Sequence, residues 1–334
     1  MRTKFVALAV CGALCGAAFL AAQSRPVRLA VRGVHGAVAA GSEWATEAGM
    51  RAYYKGGNAV DAGVASMFAG SVTEHSHYGM GGEAPILIRT KDGKVHAIAG
   101  VGTMPKLATA ELFRNRPLQA FEVQEKEPGG LKGMIPAAGL MPALVPGMVD
   151  AALVALREYG TLSFNDVIAP SIELAADGYA IDEIRANAMA ASGPFFNAWP
   201  TSKAHFAPNG RTMRIGEIFK QPDLARTLQA MVDAEKKALA SGASRQAAID
   251  AVRDYFYRGD IARKIDAFSK ANGGLLRYED MAAFKLTPEE PFSTTYKGYR
   301  VYKSGFWSQG PAMLQALNID RKSTRLNSSH VALS

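Results

Sequence analysis

The chain has 334 residues, enough for one large domain or two smaller ones, and its 48% hydrophobic and 20% charged content are typical of a globular protein. Removing two positive charges in 1–22 and three in 321–334 from the formal +8 leaves about +3, without a basic block. A charge this small argues against a protein that binds nucleic acid.

The first 22 residues predict a secretory signal peptide. Arg2 and Lys4 precede an apolar run over 5–22, which ends in small residues. A retained membrane anchor is the alternative, although about 18 residues barely span a bilayer. Cys11 and Cys15 both lie here, so we expect the mature protein to lack disulfides and thiol chemistry. The predicted location is periplasmic or secreted, with no membrane contact beyond export.

The segment 33–100 predicts two helices, a glycine turn and a β-hairpin. Ser42 is a suitable N-cap for the first helix, which Gly56-Gly57 ends. Asn58 can cap the second helix, over 59–69, whose small residues allow close packing. Two apolar runs follow and meet at an Asp-Gly turn, which is a strong hairpin signal.

Two loops and a helical region follow the hairpin. The stretch 117–147 is rich in Gly, Pro and Met, and we expect it to be a functional loop or the wall of a cleft. We expect 193–216 to be irregular, with packed aromatic side chains. Helices are predicted at 110–115, 149–159, 164–177, 181–190, 222–241, 245–257, 260–271 and 311–318, and a second hairpin at 294–304.

The last fifteen residues differ from the rest. Residues 320–334 have no helical or strand period and resemble translated sequencing-adapter read-through. A short natural polar tail is the alternative. We expect a non-native tail, in which case the chain is a fragment of a longer protein.

Several motifs resemble the large subunit of gamma-glutamyltransferases, in family order across about residues 33–319. They include Glu47-Ala48-Gly49, Lys55-Gly56-Gly57-Asn58-Ala59-Val60-Asp61-Ala62, Gly79-Met80-Gly81-Gly82, Val145-Pro146-Gly147, Tyr159-Gly160-Thr161-Leu162 and Tyr296-Lys297-Gly298-Tyr299-Arg300-Val301-Tyr302. The resemblance implies an α+β fold, the four-layer α/β/β/α sandwich of N-terminal nucleophile hydrolases, incomplete here because the C-terminal half is missing. It also implies three parts: a signal peptide at 1–22, a large-subunit region at 23–319 and the tail at 320–334.

The family's chemistry implies a nucleophile outside this chain. A precursor cuts itself into two subunits, and the new N-terminal Thr of the small subunit attacks a γ-glutamyl amide, with its own α-amine as the base. Thr294-Thr295 precedes the family's nucleophile position and is interpreted as ordinary strand sequence. We therefore expect no catalytic residue in this chain, a missing C-terminal small subunit as partner, an inactive chain on its own, and no cofactor.

The resemblance places the family's carboxylate-binding Arg at Val101, within Val101-Gly102-Thr103. Valine cannot pair with a carboxylate. Either Lys106 or Arg89 substitutes, or the substrate has no carboxylate there. The family's Pro-Ser-Gly segment is also changed, to Gly305-Phe306-Trp307-Ser308-Gln309-Gly310-Pro311. An acylase acting on a non-glutamyl amide is therefore one alternative, and a non-catalytic exported scaffold or pseudogene product is another.

Two further patterns contain residue types that occur in metal sites and phosphate loops. Glu74-His75-Ser76-His77 carries metal-ligand residue types, but alternating residues share a face only on a strand and no third His is near. We expect no metal, and histidines that line the cleft or form local hydrogen bonds. Gly79-Met80-Gly81-Gly82 precedes a strand, whereas phosphate loops precede a helix, so we expect a backbone turn.

Overall fold

The computed structural model describes residues 32–75, 77–116, 135–136 and 139–330. The predicted signal peptide and most of the predicted loop at 117–147 lie outside these residues. The chain divides into two units, Met1–Ala37 and Val38–Ser334, and the second contains all the elements below. Among the residues described, no helix is long and apolar enough to cross a membrane.

The fold begins with a helical hairpin and a β-hairpin and continues mainly as helices. The first four elements are α1 (Glu43–Tyr54), α2 (Ala59–Thr73), β1 (Ile86–Arg89) and β2 (Val95–Ile98). The remaining elements, in chain order, are α3 (Ala110–Asn115), α4 (Met148–Tyr159), α5 (Phe164–Asp177), β3 (Tyr179–Ala180), α6 (Glu183–Ala191), α7 (Gly193–Ala198), α8 (Pro200–Phe206), β4 (Ile218–Phe219), α9 (Pro222–Ala240), α10 (Arg245–Tyr257), α11 (Asp260–Ala271), α12 (Tyr278–Ala283), β5 (Phe292–Tyr296), β6 (Tyr299–Lys303) and α13 (Gly310–His330).

The strands form three antiparallel pairs, β1 with β2, β3 with β4, and β5 with β6. A pair of backbone hydrogen bonds between Ala97 and Glu289, 2.9 and 2.8 Å long, links β2 to the segment that leads into β5. The predicted α+β class is confirmed. The described strands do not by themselves build a four-layer sandwich, which stays a prediction.

The main core lies where α2, α4, α5, α9 and α10 meet. The Phe68 ring of α2 meets the Phe164 ring of α5 edge to face, with centroids 5.7 Å apart. Met148 of α4 and Leu228 of α9 are completely buried in the same cluster. Small residues along α2 let these helices approach closely, as the sequence predicted.

A buried carboxylate fixes the turns between these helices. Asp61 of α2 is fully buried. Its oxygens accept hydrogen bonds from the backbone N–H groups of Asn58, Thr161 and Leu162 and from the Thr161 hydroxyl, at 2.7 to 3.1 Å. The Asn58 side chain in turn caps α2 and donates to the carbonyl of Tyr159. The turn before α2 is thereby joined to the turn between α4 and α5.

Most predicted caps are confirmed. The side chains of Ser42, Thr109 and Ser163 accept hydrogen bonds from the first turns of α1, α3 and α5. The prediction for 193–216 was wrong, because this stretch contains α7 and α8, whose Phe196 and Phe206 rings stack 4.5 Å apart. Paired rings supply the burial that short helices lack in isolation.

Three helix boundaries differ from the prediction. α2 continues to Thr73, four residues beyond the predicted end at 69. α6 begins at Glu183, after a short strand, because the Asp182 side chain accepts from the Arg185 N–H and caps the helix there. The last helix, α13, continues to His330, beyond the predicted end at 318. The origin of residues 320–334 stays a prediction.

Removing the Asp61 carboxylate should strongly destabilise the fold. Asp61→Ala leaves the N–H groups of Thr161 and Leu162 without acceptors in a buried site, and we expect a loss of about 3 kcal/mol or more in the free energy of unfolding. Urea titrations followed by circular dichroism measure the change. Asp233→Asn, on the exposed face of α9, is the control and should change the midpoint little. Equal midpoints for the two variants would contradict the structural role of Asp61.

Candidate functional site

The predicted site residues lie in a loop that follows β2 and is held by two neighbouring segments. The Val145 N–H donates to the Thr103 carbonyl at 3.0 Å, and the Ala84 N–H donates to the Gly100 carbonyl at 2.9 Å. The structure thus joins the loop at 100–103 to the start of the first hairpin and to the segment before α4. The contact between Ala84 and Gly100 continues the predicted hairpin, whereas the segment before α4 is distant in sequence and its contact with the loop was not predicted.

The glycine turn at 79–82 fixes the start of α4. The Gly82 N–H donates to the Gly79 carbonyl, which confirms the predicted backbone turn. The Gly82 carbonyl accepts from the N–H groups of Gly147 and Met148, at 3.0 and 2.9 Å. Because those N–H groups begin α4, the turn satisfies donors that a helix leaves unpaired at its N-terminus.

Two glycines allow the backbones to meet this closely. A Cβ atom on Gly102 would lie 1.8 Å from the Val145 carbonyl oxygen, and one on Gly147 would lie 2.5 Å from the Gly100 carbonyl oxygen. Both contacts involve backbone, which cannot move aside as a flexible side chain does. The Gly102 position is therefore a structural requirement of the loop, whatever the chemistry of the site.

Val101 takes the position of the expected arginine, and its side chain is half-buried and apolar. A cation that binds a carboxylate here would have to come from another residue. Arg89 pairs with Val95 at the turn end of the hairpin, whereas Ile98 at the opposite end leads into the loop. At about 3.3 Å per strand residue this offset is about 10 Å, so Arg89 is poorly placed to substitute. Lys106 is exposed, and its N–H donates to Asp280 Oδ1 at 3.1 Å, which fixes its backbone near the loop.

The altered segment at 305–311 follows β6 and is attached to β2 through Glu289. Trp307 donates from Nε1 to Glu289 Oε1 at 2.7 Å, and the Glu289 backbone bonds to Ala97 of β2. Phe306 is 79% exposed and contacts the Phe292 ring edge to face, with centroids 4.9 Å apart. The segment thus presents an aromatic side chain at the surface.

Thr294-Thr295 is strand sequence, as predicted. Thr294 pairs with Val301 in the β5–β6 hairpin, and its hydroxyl donates to Asn318 Oδ1 at 2.6 Å. A hydroxyl used in this way is a structural group. The described residues give no reason to assign it a nucleophilic role.

Comparison with known proteins decides the family. A family model described as gamma-glutamyltranspeptidase matches residues 45–333. The chain belongs to the gamma-glutamyltranspeptidase family. It is 32% identical to the glutathione hydrolase proenzyme of Escherichia coli (strain K12), over 86% of this chain and 45% of that protein. It is 28% identical to the acylase ACY 1 proenzyme of Pseudomonas sp. (strain SE83), over 80% of this chain and 44% of that protein.

A solved family structure supports the same assignment. The gamma-glutamyltranspeptidase of Helicobacter pylori matches 84% of this chain and 73% of the solved chain, with a TM-score of 0.69 and 26% identity. The two curated relatives above are proenzymes, and the chain spans less than half of the length of each. The gamma-glutamyltranspeptidase motifs Lys55–Ala62 and Tyr159–Leu162 meet at the Asp61 carboxylate, so their most visible role in this family member is structural.

His75, whose residue type suits a metal ligand, lies in an aromatic cluster with Phe206 and Phe219. The Tyr179 hydroxyl donates its proton to the Val72 carbonyl at 3.1 Å. In the 3.0 Å contact between His75 Nδ1 and the Tyr179 hydroxyl, the N–H of His75 is therefore the donor and the Tyr179 oxygen the acceptor. Its Nε2 is then unprotonated, and it is buried without a hydrogen-bond partner among the residues that the structure describes. Among the residues described, no group of three metal-ligating side chains comes together.

The surroundings of His75 keep it neutral. Burial, followed by the positive charges of Arg185 and His205, lowers the pKa of His75 to about 4. Arg185 is itself buried, where it pairs with Asp182 at 2.7 Å and with Glu74 at 3.5 Å. These long-range neighbours could not be found from the sequence around His75.

The contact at Gly102 predicts a sharp difference between two glycines. Gly102→Ala should cost at least about 2 kcal/mol, because the added methyl group meets a backbone carbonyl that cannot yield without breaking the Val145–Thr103 hydrogen bond. Gly81→Ala is the control, because its Cβ would meet nothing within 4 Å. Thermal unfolding of the two variants measures the difference. A Gly102→Ala protein as stable as Gly81→Ala would refute the close approach.

His75 predicts a pH dependence of stability. Its pKa is lowered in the folded chain, so the unfolded chain binds the proton more tightly and stability falls as pH drops from about 6.5 towards about 4. The loss amounts to about 3 kcal/mol when integrated over this range. His75→Gln should remove this part of the dependence, as measured by urea unfolding at several pH values. His35→Gln, at an exposed position, is the control, and a His75→Gln profile parallel to the wild type would contradict the prediction.

Proposed function

We propose that residues 23–319 are the large-subunit region of an exported amide hydrolase or transferase of the gamma-glutamyltranspeptidase type. The match of the family model to residues 45–333 carries this proposal. The relative from Escherichia coli is named a glutathione hydrolase proenzyme, which supports a γ-glutamyl amide as the substrate class. Residues 1–22 act as the signal peptide, and the protein is periplasmic or secreted.

The proposed reaction divides the work between two polypeptide segments. An N-terminal Thr of a small subunit, outside this chain, attacks the amide carbonyl, and its α-amine takes the hydroxyl proton. The acyl group passes from the amine of the substrate to the Thr oxygen, and then to water or an acceptor amine. The loop at 100–103 serves as a wall of the acyl pocket. No cofactor takes part.

The free edge of β1 supports a partner subunit. Within the part of the chain that the structure describes, Ile86–Arg89 pairs with β2 alone, and β1 lines a cavity of about 210 Å³ together with Ala59, Gly63 and Met67 of α2. Leu87 is 43% exposed there. An unpaired strand edge beside an apolar helix face is a site at which another strand adds. The remainder of the protein supplies that strand in this proposal.

A second candidate function is hydrolysis of a non-glutamyl amide. Val101 and the exposed Phe306 favour it, because an apolar pocket wall selects an apolar acyl group and offers nothing to a carboxylate. The Pseudomonas relative is named an acylase. A non-catalytic scaffold is the remaining alternative, and a gene that truly ends at Ser334 would favour it.

The division of the site predicts that the chain is inactive by itself. The chain and a version extended by the remainder of its gene are each supplied with a γ-glutamyl anilide and with an apolar acyl anilide. We expect no turnover by the chain and turnover of at least one anilide by the extended, self-cleaved protein. Turnover by the chain alone would refute the proposal, and an extended protein without either activity would favour the scaffold.

Val101 predicts how specificity can be changed in the extended protein. Val101→Arg should raise kcat/KM for the γ-glutamyl anilide by about tenfold or more, because a guanidinium at this half-buried position can pair bidentately with the α-carboxylate. Thr103→Arg, which adds the same charge two residues away, is the control. Lys106→Gln tests the substitute cation, since it lowers γ-glutamyl turnover only if Lys106 binds the carboxylate. Loss of γ-glutamyl turnover in Val101→Arg would contradict the assigned position.

A further inference from the structure

A second cavity, of about 350 Å³, opens between α4, α10 and the segment 285–288. Its floor is apolar, with buried Leu153 and Ile249 and half-buried Leu286. Its other lining residues carry charges of both signs and, apart from the buried Arg253, lie towards the mouth: Arg157, Glu158, Asp250, Asp254, Arg258 and Lys285. The volume lies within the range of small-molecule sites, about 300–1,000 Å³.

Arg253 is the buried polar group of this cavity, and its side chain is only 9% exposed. Its Nε and Nη2 donate to the two oxygens of Asp150 at 2.5 and 3.2 Å, and Nη2 also donates to the Phe284 carbonyl. Across the described ranges, Nη1 has no acceptor, although a guanidinium carries five N–H donors. Asp150 neutralises the charge, and two donors on Nη1 remain for a ligand.

The cations at the mouth also keep spare donors. Arg157 uses Nε and Nη1 on Asp250 and Glu158, and its Nη2 has no acceptor within 32–75, 77–116, 135–136 and 139–330. Lys285 is exposed and forms no hydrogen bond or ion pair with any residue that the structure describes. The carboxylates at the mouth are held by arginines. Arg253, Arg157 and Lys285 therefore each keep donors for an anion, while Glu158, Asp250 and Asp254 are each paired with an arginine through one oxygen.

We propose that this cavity binds a small carboxylate with an apolar body of about six carbons. The carboxylate oxygens accept from Arg253 Nη1 and Lys285, and the apolar body lies on Leu153, Ile249 and Leu286. Charge-assisted hydrogen bonds of this kind are stronger than neutral ones. The site is separate from the loop at Val101 and does not depend on the amide chemistry proposed above.

The carboxylate has two possible sources, a free small molecule and an acidic side chain from the remainder of the protein. The chemistry is the same in both, and the experiment separates them. Isothermal titration of the full chain with hexanoate is the primary measurement. Hexanol has the same apolar body without the charge, and inorganic phosphate has the charge without the body.

Hexanoate should bind, while hexanol and phosphate should each bind at least about tenfold more weakly. Lys285→Gln should weaken hexanoate binding about tenfold. Lys270→Gln, which removes a lysine paired with Asp266 outside the cavity, is the matched control. Because Lys285 is exposed, its substitution leaves the fold intact. Arg258→Gln provides a second variant at the mouth, with weaker binding expected.

Equal affinities for hexanoate and hexanol, no binding of hexanoate, or identical affinities in the wild type and Lys285→Gln would each overturn the proposal. The protein extended by the remainder of its gene distinguishes the two sources. Hexanoate binding retained in the extended protein assigns the site to a free carboxylate. Binding present in the chain and lost on extension assigns it to a carboxylate of the protein itself.

Discussion

The buried carboxylate of Asp61 is the interaction on which the arrangement of the helices depends. It accepts hydrogen bonds from Asn58, close to it in the chain, and from Thr161 and Leu162, which follow about 100 positions later. A buried carboxylate is costly unless all its acceptor sites are used, so the two turns that supply the donors are held together. The helix start and the distant turn that meet at this carboxylate each carry one of the family motifs of the sequence.

The position of the candidate site follows from this constraint. α4 ends at the turn held by Asp61 and begins at the Gly82 carbonyl, so both ends of the helix are fixed to the N-terminal segment. The loop at 100–103 then contacts the residues just before α4, with Gly102 in a space that admits no Cβ atom. Val101 is placed by backbone contacts, which leaves its side chain open to change without loss of fold.

Local signals predicted much of the fold, whereas contacts between distant residues did not follow from the sequence. Ser42, Asn58 and Ser163 act within one turn of their own position, so their caps could be predicted from neighbouring residues. α7 and α8 were missed because their stability comes from stacked rings, which a local pattern does not reveal. The site was predicted only as a stretch of chain, since its walls come from three separate segments.

The two buried carboxylates Asp61 and Asp150 differ in whether their hydrogen-bond donors are all used within the fold. This difference separates a structural site from a site that can bind a ligand. Asp61 takes its hydrogen bonds from neutral backbone and hydroxyl donors, and each of these donors is used by the fold itself. Asp150 pairs with Arg253, which supplies more donors than the carboxylate and the Phe284 carbonyl accept. A spare donor that faces a cavity can form a charge-assisted hydrogen bond once an acceptor is bound. The Asp61 carboxylate therefore closes its site, whereas the pair of Asp150 and Arg253 leaves donors for an anion.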